Sequence, residues 1–325
     1  MMIELPQRCF IGRVNPRWFA RMRPLYLNYT GSETLTDYQV RCTLTPSDIP
    51  FEKLRDDKRD LLFVDRNNEM IPYWIEKADN TEIIVWLKLP EITPGKGVLW
   101  LYYGNGNFRG ASDGSKVFEF FDCFTGTSLD TSKWSTHGNS SKITVNNELI
   151  LEKISDDAVA VSGDIGNITG AAFDLKYHQE DDGYAASVSI GSGNILQSSG
   201  NDKIGNNGWF VDDGYYAAFW DYDFGSYYKW KIGKAEAGSL EEDLDEADHA
   251  DGADLSYHSF SLRIANGQIS LYRDGSLILS ASDSSFSTFT KIVLSNAGGG
   301  FYQSRAHYDD VRVRKYTEAE PFIEV

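Results

Sequence analysis

The sequence predicts an all-β protein of two domains, a small N-terminal β-sandwich and a larger C-terminal antiparallel β-sandwich. Three observations carry this. Short apolar/polar alternations recur along nearly the whole chain, bounded by Gly, Pro, Asn and Asp. Aromatic residues that suit a pleated, half-buried surface are abundant, with 18 Tyr, 18 Phe and 8 Trp. The 325 residues are enough for two separate cores.

Residues 1–22 read as a basic arm with Arg8, Arg13, Arg17 and Arg21, laid on the domain surface. The first strand is RPLYLNY at 23–29, and DYQVRCTL at 37–44 puts Tyr38, Val40, Cys42 and Leu44 on one face. Pro46 and Pro50 bracket a loop, and Phe51–Leu54 starts a short helix. LLFVD at 61–65, IPYWIE at 71–76, EIIVWLKL at 82–89 and VLWLYY at 98–103 complete six or seven strands, with a break at Pro90. The small sandwich therefore spans 23–108, and RGASDGSKV at 109–117 is a linker.

From 118 to 317 the texture stays β, and 318–325 is left as a tail. Two hairpins are explicit. Asn266-Gly267 and Asp274-Gly275 are two-residue type I′ turn pairs, so three consecutive antiparallel strands run through 256–282. Glu241–Asp254 has eight acidic residues in fourteen and one large apolar residue, Leu244, and reads as a solvated loop or short helix.

Composition narrows function. A net charge of −17 argues against nucleic acid, because phosphate contacts need clustered Lys and Arg. The three cysteines, Cys9, Cys42 and Cys123, make no disulfide scaffold; one Cys9–Cys42 bridge and three buried thiols are both compatible. Neither a signal-peptide pattern nor an apolar run of about 20 residues is present. The expected setting is extracellular, on a cell surface or on a virion, with any export signal removed, outside this sequence or of a non-standard kind.

YLNYTGS (26–32), LTDYQVRCTL (35–44), DLLFVDRNNEMIPYWIE (60–76), EIIVWLKLPEI (82–92) and LWLYYGN (99–105) resemble, in order and spacing over 24–108, a domain of unknown function found in microbial surface and secreted proteins. The resemblance carries no catalytic residues. The segment FDCFTGTSLDTSKW (121–134), the hairpin ISLYRDGSL (269–277) and DDVRVR (309–314) together resemble the concanavalin-like and laminin-G-like jelly rolls over 118–316. That superfamily holds lectins, glucanases and structural modules, so fold does not select function. The resemblance implies a structural Ca²⁺ tying the first strand to the last, held by Asp122 and by Asp309 or Asp310.

The glucanases of that superfamily carry Glu, Asp and Glu at i, i+2 and i+5, and Glu241, Asp243 and Glu246 repeat the spacing. Their setting is wrong for a cleft strand, because the intervening residues are Glu242, Leu244 and Asp245 rather than apolar. The five His are scattered, with no metal-ligand spacing or nucleophile elbow. The favoured ligand face is the aromatic and acidic stretch VDDGYYAAFWDYD (211–223) with SYYKWK (226–231), where Tyr216, Trp220, Tyr222, Tyr228 and Trp230 offer stacking surfaces and Asp212 and Asp213 accept sugar hydroxyls. An equally weighted alternative packs this face against another domain or a second copy. The functional expectation is a non-catalytic glycan-binding or adhesion module. The alternatives are an assembly module of a surface layer, filament or virion, including a homo-oligomer, and a polysaccharide hydrolase.

Overall fold

The computed structural model describes residues 18–154, 158–180, 185–199, 203–205, 207–222, 227–249, 255–297 and 303–325, and of residues 185, 220–222, 227, 228, 242 and 249 the backbone alone. Cys9 lies outside these, as do most of the arm and the 181–184 copy of the DDGY sequence.

Six strands come first: β1 (Arg21–Tyr29), β2 (Leu35–Leu44), β3 (Leu62–Val64), β4 (Tyr73–Ala78), β5 (Ile83–Ile92) and β6 (Gly95–Tyr103). Fifteen follow. They are β7 (Phe120–Asp122), β8 (Trp134–Gly138), β9 (Ile143–Val145), β10 (Leu149–Ile154), β11 (Val159–Thr169), β12 (Ala171–Glu180), β13 (Ala185–Gln197) and β14 (Trp209–Tyr222). Then come β15 (Tyr227–Glu236), β16 (Ser239–His249), β17 (His258–Ala265), β18 (Gln268–Arg273), β19 (Ser276–Ser282), β20 (Thr288–Ala297) and β21 (Gln303–Lys315), and β22 (Phe322–Glu324) ends the chain. The chain forms two compact units that part after Phe118, with Ala319–Val325 belonging to the first.

In the first unit a β22-β1-β6-β3 sheet faces a β2-β5-β4 sheet. Period-2 burial builds its core: Leu25, Leu27 and Tyr29 of β1 meet Tyr38, Val40, Cys42 and Leu44 of β2 and Ile83, Val85 and Leu87 of β5. The strand β5 continues through Pro90 without a change of register: Thr36 pairs with Glu91 and Tyr38 with Leu89, and Asp37, at φ 48°, stands opposite the proline. The expected helix is a single 3₁₀ turn at Phe51–Lys53.

The last residues are a strand rather than a tail. β22 pairs with the edge of β1, Leu27 opposite Ile323, and Ile323 and Val325 join the core; an open edge recruits a partner that a short polar sequence does not advertise. The 109–117 stretch is likewise knitted to the first unit. The Tyr73 hydroxyl donates to Leu61 O at 2.6 Å and accepts from Ala111 N at 2.8 Å, and Phe118 packs edge-on against Trp74 and Trp86.

The second unit is a jelly roll of two antiparallel sheets. One is eight-stranded, β19-β18-β17-β12-β21-β10-β9 with β7 also on β21, and the other is seven-stranded, β16-β15-β14-β13-β20-β11-β8. Phe173, Leu175, Tyr177, Leu262, Tyr308, Val311 and Val313 from the first interleave with Val161, Val188, Tyr215, Ala217, Phe219, Ile292 and Leu294 from the second. The two hairpin turns form as expected, with positive φ at Asn266, Gly267, Asp274 and Gly275.

The expected loop or short helix is overturned. The acidic run is a strand as far as His249: β16 pairs along β15, and Lys229 and Lys231 of β15 pair with part of its charge. Lys231 Nζ lies 2.8 Å from Asp243 Oδ2 and 3.5 Å from Glu246 Oε2, and Lys229 bonds Glu246. A bulge at Gly233 re-phases the strand so that Leu244 and Ala247 reach the core. Charge on an edge strand blocks sheet-to-sheet association.

Asp213-Gly214-Tyr215 makes no turn. Gly214 lies mid-strand, directly opposite Gly191, and a Cβ on either would stand 2.2–2.3 Å from a carbonyl of the other strand. This close approach lets the distal part of the β13–β14 hairpin fold over the outer face of its own sheet. Val211 and Ile195 there pack on Ala160 and Val293, and Val211 N donates to Ser189 Oγ at 3.2 Å.

Candidate functional site

The first signature acts as an inter-sheet strap. Asp122 ends β7 in one sheet; Oδ1 accepts from Phe124 N at 2.9 Å and Oδ2 from Trp134 Nε1, the first residue of β8 in the other sheet, at 2.8 Å. Phe120 and Phe124 enclose the indole at centroid distances of 4.8 and 5.7 Å. The closing signature has a different partner. Arg314 Nε donates to Asp174 Oδ2 on β12 at 2.9 Å, with Arg312 Nε at 3.5 Å, all three nearly buried.

Among the described residues Asp122, Asp309 and Asp310 form no group of ligand atoms within metal-binding distance of one another. Asp122 is committed to the strap, Asp310 pairs with Lys176 Nζ at 2.5 Å, and Asp309 accepts from Asp310 N at 2.8 Å. Burial, then the adjacent Asp310, pushes the Asp309 carboxyl up to about 6.

The aromatic stretch does not present one open face. Tyr216 is fully buried under Ile204 and Phe210, and its hydroxyl donates to Asp243 Oδ1 at 2.7 Å. Trp230 pairs with Phe219 and packs towards the central core, with the Arg273 guanidinium 5.3 Å over its ring. Asp213 Oδ1 accepts from Ala237 N at 2.8 Å and so caps the β15–β16 turn, where Ala237 has φ 50°. Asp212 is half-buried beside Gly193. The side chains of Trp220, Tyr222 and Tyr228 lie outside the described set; their backbones pair with Lys229, Tyr227 and Asp221.

The glucanase-like spacing also serves structure. Asp243 is shared by Tyr216 and Lys231, and the bond from Lys229 holds the Glu246 carboxyl below the usual carboxylate range. A general acid for glycoside cleavage needs the opposite shift.

One concave feature of the second unit is a cleft of about 200 Å³ at one end of the sandwich. Phe286 and Tyr316 supply aromatic surface, and Thr169, Asn266, Ser284, Ser287 and Thr317 supply hydroxyl and amide groups; among the described residues no Asp, Glu, Lys, Arg or His lines it. Its walls are fastened by the backbone: Asp283 N to Gly267 O at 2.9 Å, Gly170 N to Ser287 O at 3.3 Å and Tyr316 N to Gly170 O at 3.1 Å. Beneath, Tyr215 OH donates to Asp283 Oδ1 at 2.7 Å and accepts from Phe286 N at 3.2 Å. Gly170 has φ 65°, and a Cβ there would stand 2.5 Å from Tyr316 O.

A second cluster stands on the outer face of the eight-stranded sheet. His178 of β12 is opposite His307 of β21, and Glu148 precedes β10 on the other side of β21. One ligand atom from each of the three lies within 4.8 Å of the others. The isolated histidines in the sequence concealed it, because register across three strands makes the group. The available signal was parity: YHQ and AHY each place a His between core-facing neighbours.

A profile for a Domain of unknown function (DUF2341) matches residues 57–137. The chain is thus similar to that family over the later strands of the first unit and the start of the second. No curated protein matches the chain. Among solved structures, the metal-free Emp46p carbohydrate recognition domain is similar at 8% identity, over 61% of this chain and 98% of its own, with a TM-score of 0.48. A Bacillus licheniformis β-glucanase is similar at 16% identity, over 61% of this chain and 98% of its own, with a TM-score of 0.45. A legume lectin-like domain from Entamoeba histolytica is similar at 11% identity, over 57% and 91%, also with a TM-score of 0.45. Among the described residues no helix is long and apolar enough to cross a membrane.

Proposed function

We propose that this chain is a non-catalytic glycan-binding or adhesion module of a microbial or viral surface protein, and that it takes a neutral sugar unit in the end cleft of its second unit. The observation that carries this is the lining: two aromatic side chains beside five hydroxyl or amide side chains, without formal charge among the described residues. A pyranose ring presents apolar C–H faces and a rim of hydroxyls, so it suits aromatic surface bordered by neutral donors and acceptors. The fastened walls reduce the ordering cost on binding. The net charge of −17 suits an exported surface setting.

The test is a glycan array followed by calorimetry on hits, with Ser284→Trp as the cleft-blocking variant, since Ser284 is exposed and its replacement leaves the core intact. Loss of binding in Ser284→Trp supports the cleft. Binding that survives there but is lost in Trp220→Ala moves the site to β14. An array without hits overturns the reading.

A further inference from the structure

We propose that Glu148, His178 and His307 bind a divalent d-block cation of the Zn²⁺ type, at a site separate from the sugar cleft. The argument begins with register. On the outer face of the β10–β21–β12 strands, Glu152, Arg305 and Glu180 form one cross-strand row and His307 and His178 are opposite each other in the next. Glu148 enters from the side of the following row, which also carries Asp309 and Lys176.

The two imidazoles stack at 4.1 Å between centroids and 15° between planes. Glu148 Oε2 lies 3.4 Å from His307 Nδ1, and Glu180 Oε1 lies 3.8 Å from His307 Nε2, while the other oxygen of that carboxylate, Oε2, accepts from Arg305 at 2.9 Å. Tyr257 closes the group from above: its ring stands edge-on to His178 at 4.5 Å, and its hydroxyl bonds the Glu148 carboxylate.

An independent observation points to a ligand. His307 is 5% exposed, and among the described residues neither of its ring nitrogens has a hydrogen-bond partner. A buried imidazole without hydrogen bonds does not recover the solvation it had in water. A metal ion makes use of one of those nitrogens.

The donor set selects the metal class. Ca²⁺ takes six to eight oxygens, which two imidazoles and one carboxylate do not provide. Zn²⁺ and its neighbours accept His₂Glu readily, with bonds of about 2.0–2.2 Å and an open fourth position. The ligand atoms, now within 4.8 Å of one another, close on the ion by rotation about side-chain torsions on strands whose register is already set. The Tyr257 hydroxyl orients the Glu148 carboxylate, as outer partners of metal ligands do. Asp309 adds negative charge nearby, while Lys176 and Arg305 are drawn off by Asp310 and Glu180.

The test is titration of the chelator-treated full chain with Zn²⁺ against a chromophoric competitor, with Co²⁺ absorption as a second readout. The expected result is one Zn²⁺ per chain, visible Co²⁺ bands of a four-coordinate N/O site, no displacement by Ca²⁺, and at least tenfold weaker binding in His178→Gln, His307→Gln and Glu148→Gln. Circular dichroism identifies any variant that fails to fold, and for such a variant the Co²⁺ spectrum of the unaltered chain decides. Absence of saturable Zn²⁺ binding, a Co²⁺ spectrum of a six-coordinate aquo ion, or folded variants that bind within twofold of the unaltered chain would overturn the proposal.

Discussion

Asp122 and Trp134 join the two sheets of the second unit through a single hydrogen bond of 2.8 Å, from an indole N–H on the seven-stranded sheet to a carboxylate on the eight-stranded one. Both partners are buried. The motif that opens the domain is therefore a packing device: Phe120 and Phe124 wall the indole, and the carboxylate fixes its rotation. A double-mutant cycle of Asp122→Ala and Trp134→Phe is expected to show a coupling energy of about 1.5–3 kcal/mol, the range for a hydrogen bond to a charged group. Denaturant unfolding of the four proteins measures it, and additive effects would show that the strap contributes nothing.

Gly191 and Gly214 face each other where the long hairpin folds over its own sheet. A side chain at either forces the strands apart. Gly214→Val is expected to lower stability by about 3 kcal/mol, as overpacking at an unyielding site does, and to raise protease cleavage within 192–211. A variant with an unchanged unfolding midpoint would mean that the hairpin folds back without this contact.

The Asp174 carboxyl is governed first by burial, which pushes it up; Arg314, Arg312, a Ser261 hydrogen bond and Arg263 outweigh this and hold it below the usual carboxylate range. A carboxyl held lower in the folded than in the unfolded chain stabilises above the unfolded value, about pH 4, and the contribution is lost as pH falls through the folded value. Asp174→Asn is expected to take up about one proton fewer on acid unfolding. Asp174→Ala, which strands buried guanidinium charge, is expected to cost about 3–5 kcal/mol near neutral pH. Urea unfolding from pH 3 to 7 checks both.

Cys42 is 1% exposed and free, and burial, followed by the nearby Asp48, pushes its thiol up to about 12. The thiolate is the reactive form. At pH 8 iodoacetamide is expected to leave Cys42 unmodified in the native chain and to modify it after unfolding, while half-buried Cys123 reacts in the native state. Peptide mapping by mass spectrometry reads both; equal native labelling of the two would show that the first core opens readily.

Much of the fold was legible where chemistry and geometry are local. Tyr38, Val40, Cys42 and Leu44 share the buried face that their alternation assigns. Asn266-Gly267 and Asp274-Gly275 turn as their φ preferences require. The candidate sites were far less legible. Tyr216 belongs to an aromatic run that invites an exposed reading, yet Ile204 of the preceding loop and Phe210 of its own strand cover it. The acidic stretch carries no visible alternation, because a bulge at Gly233 shifts its phase and the compensating lysines sit on the neighbouring strand.

The sequence alone determined the all-β class, the faces of most strands and the tight turns, because side-chain period and φ preference act over two to four residues. Tertiary structure alone decided that Gly191 meets Gly214, that β22 completes the first sandwich, that Arg314 finds Asp174 and that His178 stands against His307. Each of these is a pairing between strands, and all but the first join strands distant in the chain. Register is set by the joint burial of both sheets, so no segment carries it by itself.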